Sequence, residues 1–261
     1  MSRAPQPRWL IIFVTIVALY TGGAAFADWE VGDPALYYQL PDTTTSGWDV
    51  YSEWRNGVAN DWTAETDVPI TDIHFWGSWR SNIVGDIGTL YIQIFDNDTG
   101  GSFAKPGTQL WEGVFTNEDA NPNNNYTISP AYTTETQGFY DPRYIDHWYT
   151  NNHNNMYQYN IPVIESAFIQ QAGETYWLMI SSNYEGCDWG WKTSENVVGN
   201  TSVFWDTYGH HGGYWQQLKE LGWCYPRTPE PLDVAFVLTP EPATLLLLAA
   251  GAAVALRRRR K

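Results

Sequence analysis

Two aspartates beside a glycine-rich turn are the sharpest candidates for metal chemistry in this chain of 261 residues. Asp96 and Asp98 are two positions apart, and Ca²⁺ prefers several oxygen ligands brought together. An EF-hand is excluded, because the twelfth position counted from Asp96 is Gly107, where that motif needs a bidentate Glu. A looser calcium site helped by Asp86 is one interpretation. The other is a hairpin turn, since Asp and Asn favour turns. No further cofactor is predicted.

Tryptophans are the second candidate chemistry, because their faces can stack on a sugar while nearby polar groups bind its hydroxyls. The sequence places Trp189 and Trp191 around Gly190 in a predicted loop. The candidate stacking residues are Trp76, Trp189, Trp191, Trp205 and Trp215. The alternative is that these large side chains fill the core of a β-sandwich.

Standard catalytic signatures do not occur in the sequence, which has no Gly-x-Ser-x-Gly, His-Glu-x-x-His, Walker or dinucleotide-binding glycine motif. His210 and His211 are adjacent, and neighbours on an extended chain face opposite ways, which suits chelation poorly. We therefore predict no catalytic residue and no enzymatic activity. The alternative is a glycoside-active enzyme that uses two carboxylates about 5 to 10 Å apart.

The elements that must position these groups are predicted to be strands. Short runs rich in aromatic and β-branched residues alternate with Gly, Pro and Asn turns, the pattern of an antiparallel β-sandwich, for which a jelly-roll-like form is preferred. Residues 105–107 and the stretch after Phe95 are predicted turns, and only 164–171 could be helical. The predicted strands are 70–79, 90–95, 110–115, 156–163, 175–181 and 233–238.

Residues 1–27 have the pattern of a secretory signal peptide. Arg3 and Arg8 precede an apolar stretch at 9–20, and Ala-Phe-Ala at 25–27 precedes the predicted cleavage point. Twelve apolar residues in a helix span about 18 Å, too short for a membrane anchor. The exported part is then 28–239, with one domain whose core covers about 45–238.

The C-terminal end, 240–261, has a different pattern. Pro-Glu-Pro precedes an uncharged apolar stretch at 243–256, a predicted short transmembrane helix, and a basic tail at 257–261 that would stay on the cytoplasmic side. A plain single-span tail is the alternative. The residues of this pattern are Pro240, Glu241, Pro242, Arg257, Arg258, Arg259, Arg260 and Lys261.

Without these two ends the chain is more acidic. The formal charge of −15 becomes −21 for 28–239, which has 28 acidic and 7 basic side chains and 38 aromatic ones. Such a surface disfavours nucleic acid, because it repels phosphates. Cys187 and Cys224 both lie in this part, and an oxidising compartment permits a disulfide between them. Two buried free thiols are the alternative.

The C-terminal pattern resembles the PEP-CTERM sorting signal of Gram-negative bacteria: a Pro-Glu-Pro triplet, an apolar helix and an Arg cluster, contiguous at the end of the chain. The resemblance implies recognition by an exosortase, cleavage near Pro-Glu-Pro and a host that makes exopolysaccharide. The protein would be anchored transiently in the membrane and then reach the cell surface. Pro240, Glu241 and Pro242 would be a recognition site for that enzyme.

The middle of the chain resembles an uncharacterised β-sandwich domain family found ahead of PEP-CTERM tails. That family has no established activity, so the resemblance implies fold and location only. The matching blocks are ITDIHFWGSW at 70–79, PG at 106–107, LW at 110–111, YDP at 140–142, YQYN at 157–160, YWL at 176–178 and GWKTS at 190–194.

From these observations we expect an exported surface or extracellular-matrix protein that is a non-catalytic carbohydrate-binding or interaction module. Its expected partners are the exosortase, the secretion machinery, and exopolysaccharide or other glycans. A purely structural or adhesive matrix protein is the alternative.

Overall fold

The computed structural model describes residues 28–53, 56–117, 125–131, 133, 135–144, 147–161, 167–183, 188–205, 214–220 and 230–240. The predicted signal peptide, transmembrane helix and basic tail lie outside these residues. The same holds for Glu241, Pro242, Cys187, Cys224, His210 and His211, so the disulfide stays a prediction.

The described chain is built of β-strands, numbered β1 to β19, in two large sheets and two short ribbons. The nine-stranded sheet contains β1 (Tyr37–Gln39), β2 (Trp48–Tyr51), β5 (Asp72–Trp79), β8 (Thr127–Pro130), β9 (Gln137–Tyr140), β10 (Trp148–His153), β11 (Tyr157–Ile161), β14 (Trp189–Lys192) and β19 (Phe236–Thr239). The six-stranded sheet contains β3 (Val58–Thr63), β6 (Leu90–Asp98), β7 (Lys105–Phe115), β13 (Thr175–Ser182), β15 (Val203–Trp205) and β16 (Trp215–Gln217). The ribbons pair β4 (Pro69–Ile70) with β12 (Phe168–Ile169), and β17 (Lys219–Glu220) with β18 (Glu230–Pro231).

The sheets are antiparallel except for one parallel pair, β2 with β9. The six-stranded sheet has the order β16-β15-β3-β13-β6-β7. In the other sheet β5 is central: β11 covers one edge, while β19 and β14 share the other, each along one half of the strand. The prediction of an antiparallel β-sandwich is thus confirmed.

The alternation predicted along β5 is also confirmed, with one addition. Ile73, Phe75 and Trp79 face the core between the two sheets, as their spacing indicates. His74 and Trp76 face the opposite way, yet they are buried too. Trp29 contacts Trp76 edge-on at 6.4 Å between ring centroids, so the start of the exported part covers this outer face.

The core between the sheets is rich in aromatic side chains. Phe75 and Tyr159 stack at 5.0 Å, and the indole Nε1 of Trp189 donates to the Tyr159 hydroxyl at 3.0 Å. From the six-stranded sheet, aliphatic side chains such as Ile92 and Leu178 close the other side of this layer. The N–H groups of Trp62 and Trp189 have partners, so these rings are buried without an unsatisfied donor, whereas Trp48 Nε1 has no partner among the described residues.

Three local predictions are wrong. Residues 189–191, predicted as a loop, belong to β14, where they pair with β2 and β5. Lys105 and Gly107, predicted as a turn, are the start of β7, because the turn lies earlier, after Asp98. The helical candidate 164–171 contains strand β12 in its described part, since Phe168 pairs with Ile70. Among the described residues, no helix has the length and apolar composition required to cross a membrane.

Gly77 makes the close packing of the core possible, and we expect Gly77→Ala to lower the free energy of unfolding by about 1–3 kcal/mol. An added Cβ would lie 2.5 Å from the Gly190 carbonyl oxygen and 2.8 Å from Trp189 Nε1. Neither neighbour can move without breaking a strand pair or the bond to Tyr159. Urea unfolding measures the change. Gly100→Ala, in an exposed turn, is the control, and equal effects of the two variants would contradict this assignment.

Candidate ligand-binding surface

Three of the five candidate stacking residues are core residues, which corrects the prediction for them. Trp189 and Trp191 are 0% exposed and Trp76 is 5% exposed. Trp189 and Trp191 point into the layer between the sheets, whereas the face of Trp76 is covered by Trp29. Because the rings already contact protein on both sides, a sugar cannot stack on them without displacing the core.

The other two candidates lie together on the outer face of the six-stranded sheet. Trp205 and Trp215 are opposite partners in the β15–β16 pair, and their rings meet edge-on at 5.4 Å. Both are half-buried. Trp215 packs in turn against a small apolar cluster formed by Ala59, Trp177 and Met179.

The sheet curls around this outer face. Phe95 on β6 and Trp215 on β16 are four strands apart, which in a flat sheet corresponds to about 19 Å. Their ring centroids are nevertheless 6.5 Å apart. The β15–β16 edge therefore bends over the sheet, and the outer face is concave.

Polar side chains flank the aromatic ones on the same face. Gln93 Nε2 donates to Gln109 Oε1 at 2.9 Å and to Glu112 Oε2 at 2.7 Å. Gln93 and Glu112 are opposite partners in the β6–β7 pair, and Phe95 and Gln109 form a neighbouring pair beyond a shift in register. We call Gln93, Phe95, Gln109, Glu112, Trp205 and Trp215 the outer platform. Sequence analysis missed its polar half, which the pairing of the strands around the turn after Asp98 could have indicated.

The outer platform combines flat apolar rings with amide and carboxylate groups. Such an arrangement can stack on a sugar ring and bind its hydroxyl groups in the plane of the ring. Glu112 and Gln109 are exposed, so the polar half faces solvent. The geometry suits a neutral, polyhydroxylated ligand better than an anion, because the platform contains a carboxylate and no cation.

The two candidate metal ligands, Asp96 and Asp98, organise the β6–β7 turn. Asp96 Oδ1 accepts the Thr108 N–H at 2.5 Å, and Asp98 Oδ1 accepts the Gly100 N–H at 2.7 Å. Lys105 Nζ lies 2.7 Å from Asp98 Oδ2 and holds the pKa of that carboxyl below its usual range. In the described part of the chain, no three acidic, His or Cys side chains converge as metal ligands. The observed contacts of Asp96 and Asp98 support the interpretation of this segment as a hairpin turn.

A cleft of about 590 Å³ opens at one end of the sandwich, and sequence analysis did not find it. Its volume lies in the range of small-molecule sites. Asp86, the residue suggested as a helper for calcium, lines this cleft and accepts the Gly88 N–H at 2.8 Å. The side chains that line it include Trp79, Asp86, Thr116, Asn117, Tyr126 and Ile128.

Two buried carboxyls have raised pKa values, and neither lines the cleft. Asp61 is the opposite partner of Trp177, which pairs in turn with Phe95, so its side chain shares the outer face of the sheet; there it is hydrogen-bonded to Asn200 and shielded from solvent. Burial raises the pKa of Asp61 to about 7, although Asn200 hydrogen-bonds to the carboxylate. Burial raises the pKa of Asp233 to about 6, against hydrogen bonds from Val198 N and Gln39 Nε2. Both carboxyls fasten the loop at 194–202 to the sheets.

Comparisons with known proteins give two family matches. The model of a domain of unknown function, DUF7901, matches residues 35–239, and the model of the PEP-CTERM protein-sorting motif matches 238–261. No curated protein and no solved structure matches the chain. The sorting motif begins within β19, so it follows directly on the folded domain.

The sorting motif identifies an exported protein that is anchored transiently in the membrane, processed by an exosortase and then released. The domain ahead of it covers nearly all of the exported part. The chain therefore belongs to the DUF7901 family, in an exported form that carries a PEP-CTERM sorting signal.

Proposed function

We propose that this exported protein is a non-catalytic carbohydrate-binding module of the cell surface or extracellular matrix, and that the outer platform is its binding site. The observation that carries the proposal is the concave sheet face on which Trp205, Trp215 and Phe95 lie beside an exposed amide and carboxylate cluster. Glycans are the ligand class that uses both halves of such a surface.

A non-catalytic role is supported by the environment of the unusual acids. A glycoside-active enzyme needs two carboxyl groups that face a substrate across about 5 to 10 Å, one of them with a raised pKa. The carboxyls with raised pKa values, Asp61 and Asp233, are 2% and 1% exposed and are held by internal hydrogen bonds. They act within the fold rather than toward a substrate.

Trp215→Ala is expected to weaken glycan binding at least about tenfold, because a truncated aromatic anchor costs about 1.4 kcal/mol or more. A glycan array on the exported protein selects a ligand, and calorimetric titration with that glycan then measures the affinity. Glu112→Gln, at an exposed position, should also weaken binding, since it removes a charged hydrogen-bond acceptor.

The matched control is Tyr214→Ala. Tyr214 precedes Trp215, is 53% exposed and lies outside the outer platform, so its loss should leave affinity unchanged. If Trp215→Ala and Glu112→Gln both keep full affinity and Asp86→Asn loses it, the binding site is the cleft rather than the outer platform. Absence of binding to any glycan would favour the structural or adhesive alternative.

A further inference from the structure

Asp49 and Lys192 form a fully buried pair at the centre of the nine-stranded sheet. They are opposite partners in the antiparallel β2–β14 pair, so their side chains leave the sheet on the same face. Both side chains are 0% exposed, and Lys192 Nζ lies 3.1 Å from Asp49 Oδ2. Nζ also donates to the Trp48 carbonyl at 3.3 Å.

A histidine from another strand contacts the same carboxylate oxygen. His153 on β10 places Nε2 2.7 Å from Asp49 Oδ2, and its side chain is also 0% exposed. The second oxygen, Asp49 Oδ1, has no partner of good hydrogen-bond geometry among the described residues, although a weak contact with the Ser78 side chain also lowers the pKa of the carboxyl. An amine, a carboxyl and an imidazole thus meet in a site shielded from solvent.

An ordinary ion pair is expensive in such a place. Removing a carboxylate and an ammonium from water costs several kcal/mol for each ion, and Asp49 satisfies only one of its oxygens. Burial lowers the pKa of Lys192, which favours the neutral, nucleophilic amine. The pKa of Asp49 lies below its usual range: burial raises it, but the charges of Lys192 and His153, with hydrogen bonds from His153 and Ser78, lower it by more. Transfer of the Lys192 proton to Asp49 would neutralise both partners and remove the contribution of Lys192, the largest of those that lower this pKa.

We propose that Lys192 and Asp49 condense into an intramolecular isopeptide bond that joins β14 to β2. Lys192 Nζ attacks Asp49 Cγ, the new N–Cγ bond forms, and the Cγ–Oδ2 bond breaks. Oδ2 leaves as water, with the hydrogen of the neutral carboxyl and one hydrogen of the amine. His153, which is hydrogen-bonded to Oδ2, transfers the hydrogen of the amine to that oxygen. The step needs no oxidant, reductant or other reactant.

Two features of the site favour this condensation. Lys192 Nζ is held 3.1 Å from Asp49 Oδ2, an oxygen bonded to the carbon that it would attack, so the reaction does not have to bring its partners together. Exclusion of water disfavours the reverse hydrolysis. The product is a neutral amide, which removes the cost of two buried charges and fixes two central strands covalently.

Mass spectrometry of the full exported protein tests the proposal. After reduction of any disulfide, the mass should be lower than that calculated for the chain by one water molecule. Trypsin should fail to cleave after Lys192, and the peptide that ends at Arg55 should remain joined to the peptide that extends from Tyr144 to Lys219. Separate, unlinked peptides from the folded protein would overturn the proposal.

Variants locate the bond. Lys192→Met and Asp49→Ala should each show the full calculated mass, while Lys105→Met, which removes the half-buried partner of Asp98, should retain the loss of water. His153→Phe should slow or abolish the linkage in protein that still folds. Loss of water without joined peptides would indicate a cyclised aspartate elsewhere and would also overturn the proposal. The mass and the peptides of the wild-type protein test the proposal without any variant, so a variant that does not fold does not affect this test.

Discussion

Trp191→Ala is expected to lower the free energy of unfolding by about 3–5 kcal/mol, a large share of the stability of a domain of this size. The indole is 0% exposed, contacts Phe75 and Phe236 at 6.2 Å between centroids, and donates from Nε1 to the Ala235 carbonyl at 2.8 Å. Alanine leaves a cavity between the sheets and a buried carbonyl without its donor.

Urea denaturation followed by Trp fluorescence and circular dichroism measures this loss. Trp205→Ala is the matched control, because the same truncation at a half-buried surface position should cost clearly less. If the Trp191→Ala variant were stable but lost glycan binding, Trp191 would be a ligand-binding residue despite its burial.

The second large effect concerns pH. The folded-state pKa of Asp61 is about 7, above the value of about 3.9 for an unfolded chain. Between these values the folded state keeps a proton that the unfolded state has lost, so the free energy of unfolding falls as the pH rises. The contribution of Asp61 to the free energy of unfolding is therefore fully present near pH 4 and lost by about pH 7. The change is on the order of a few kcal/mol.

The comparison of wild type with Asp61→Asn isolates this group. Burial lowers the pKa of His74, so the contribution of this residue to the free energy of unfolding is lost as the pH falls. This effect opposes that of Asp61, but both proteins contain His74. Melting temperatures measured from about pH 4 to pH 8 should show the variant gaining on the wild type as the pH rises. Asp67→Asn, at an exposed position, should follow the wild type. Parallel curves for wild type and Asp61→Asn would contradict the raised pKa.

Local patterns predicted the strands that are long enough to show their period. β5 alternates over eight residues, so the directions of Phe75 and Trp76 could be read correctly. β14 has only four residues, Trp-Gly-Trp-Lys, and its glycine suggests a loop. Its position between β2 and β5 depends on strands far away in the chain, which short-range patterns do not encode.

The same dependence on distant parts of the chain explains how much of the candidate site could be predicted from the sequence. Trp205 and Trp215 could be proposed from residue type, but residue type did not separate them from the other three candidates, which are buried. Whether a given Trp is covered depends on partners such as Trp29 for Trp76, more than forty positions away in the sequence. The approach of Phe95 to Trp215 depends on the curl of a whole sheet, which no single segment specifies.

Strand β19 has a consequence for the order of events during biogenesis. It is the last strand before the sorting motif, yet it lies between β1 and β5 and carries Phe236 into the core. The strands that precede it cannot close their layer until this segment has crossed the membrane, and non-local pairing of this kind is slow. Completion of the fold is therefore timed to the arrival of the tail.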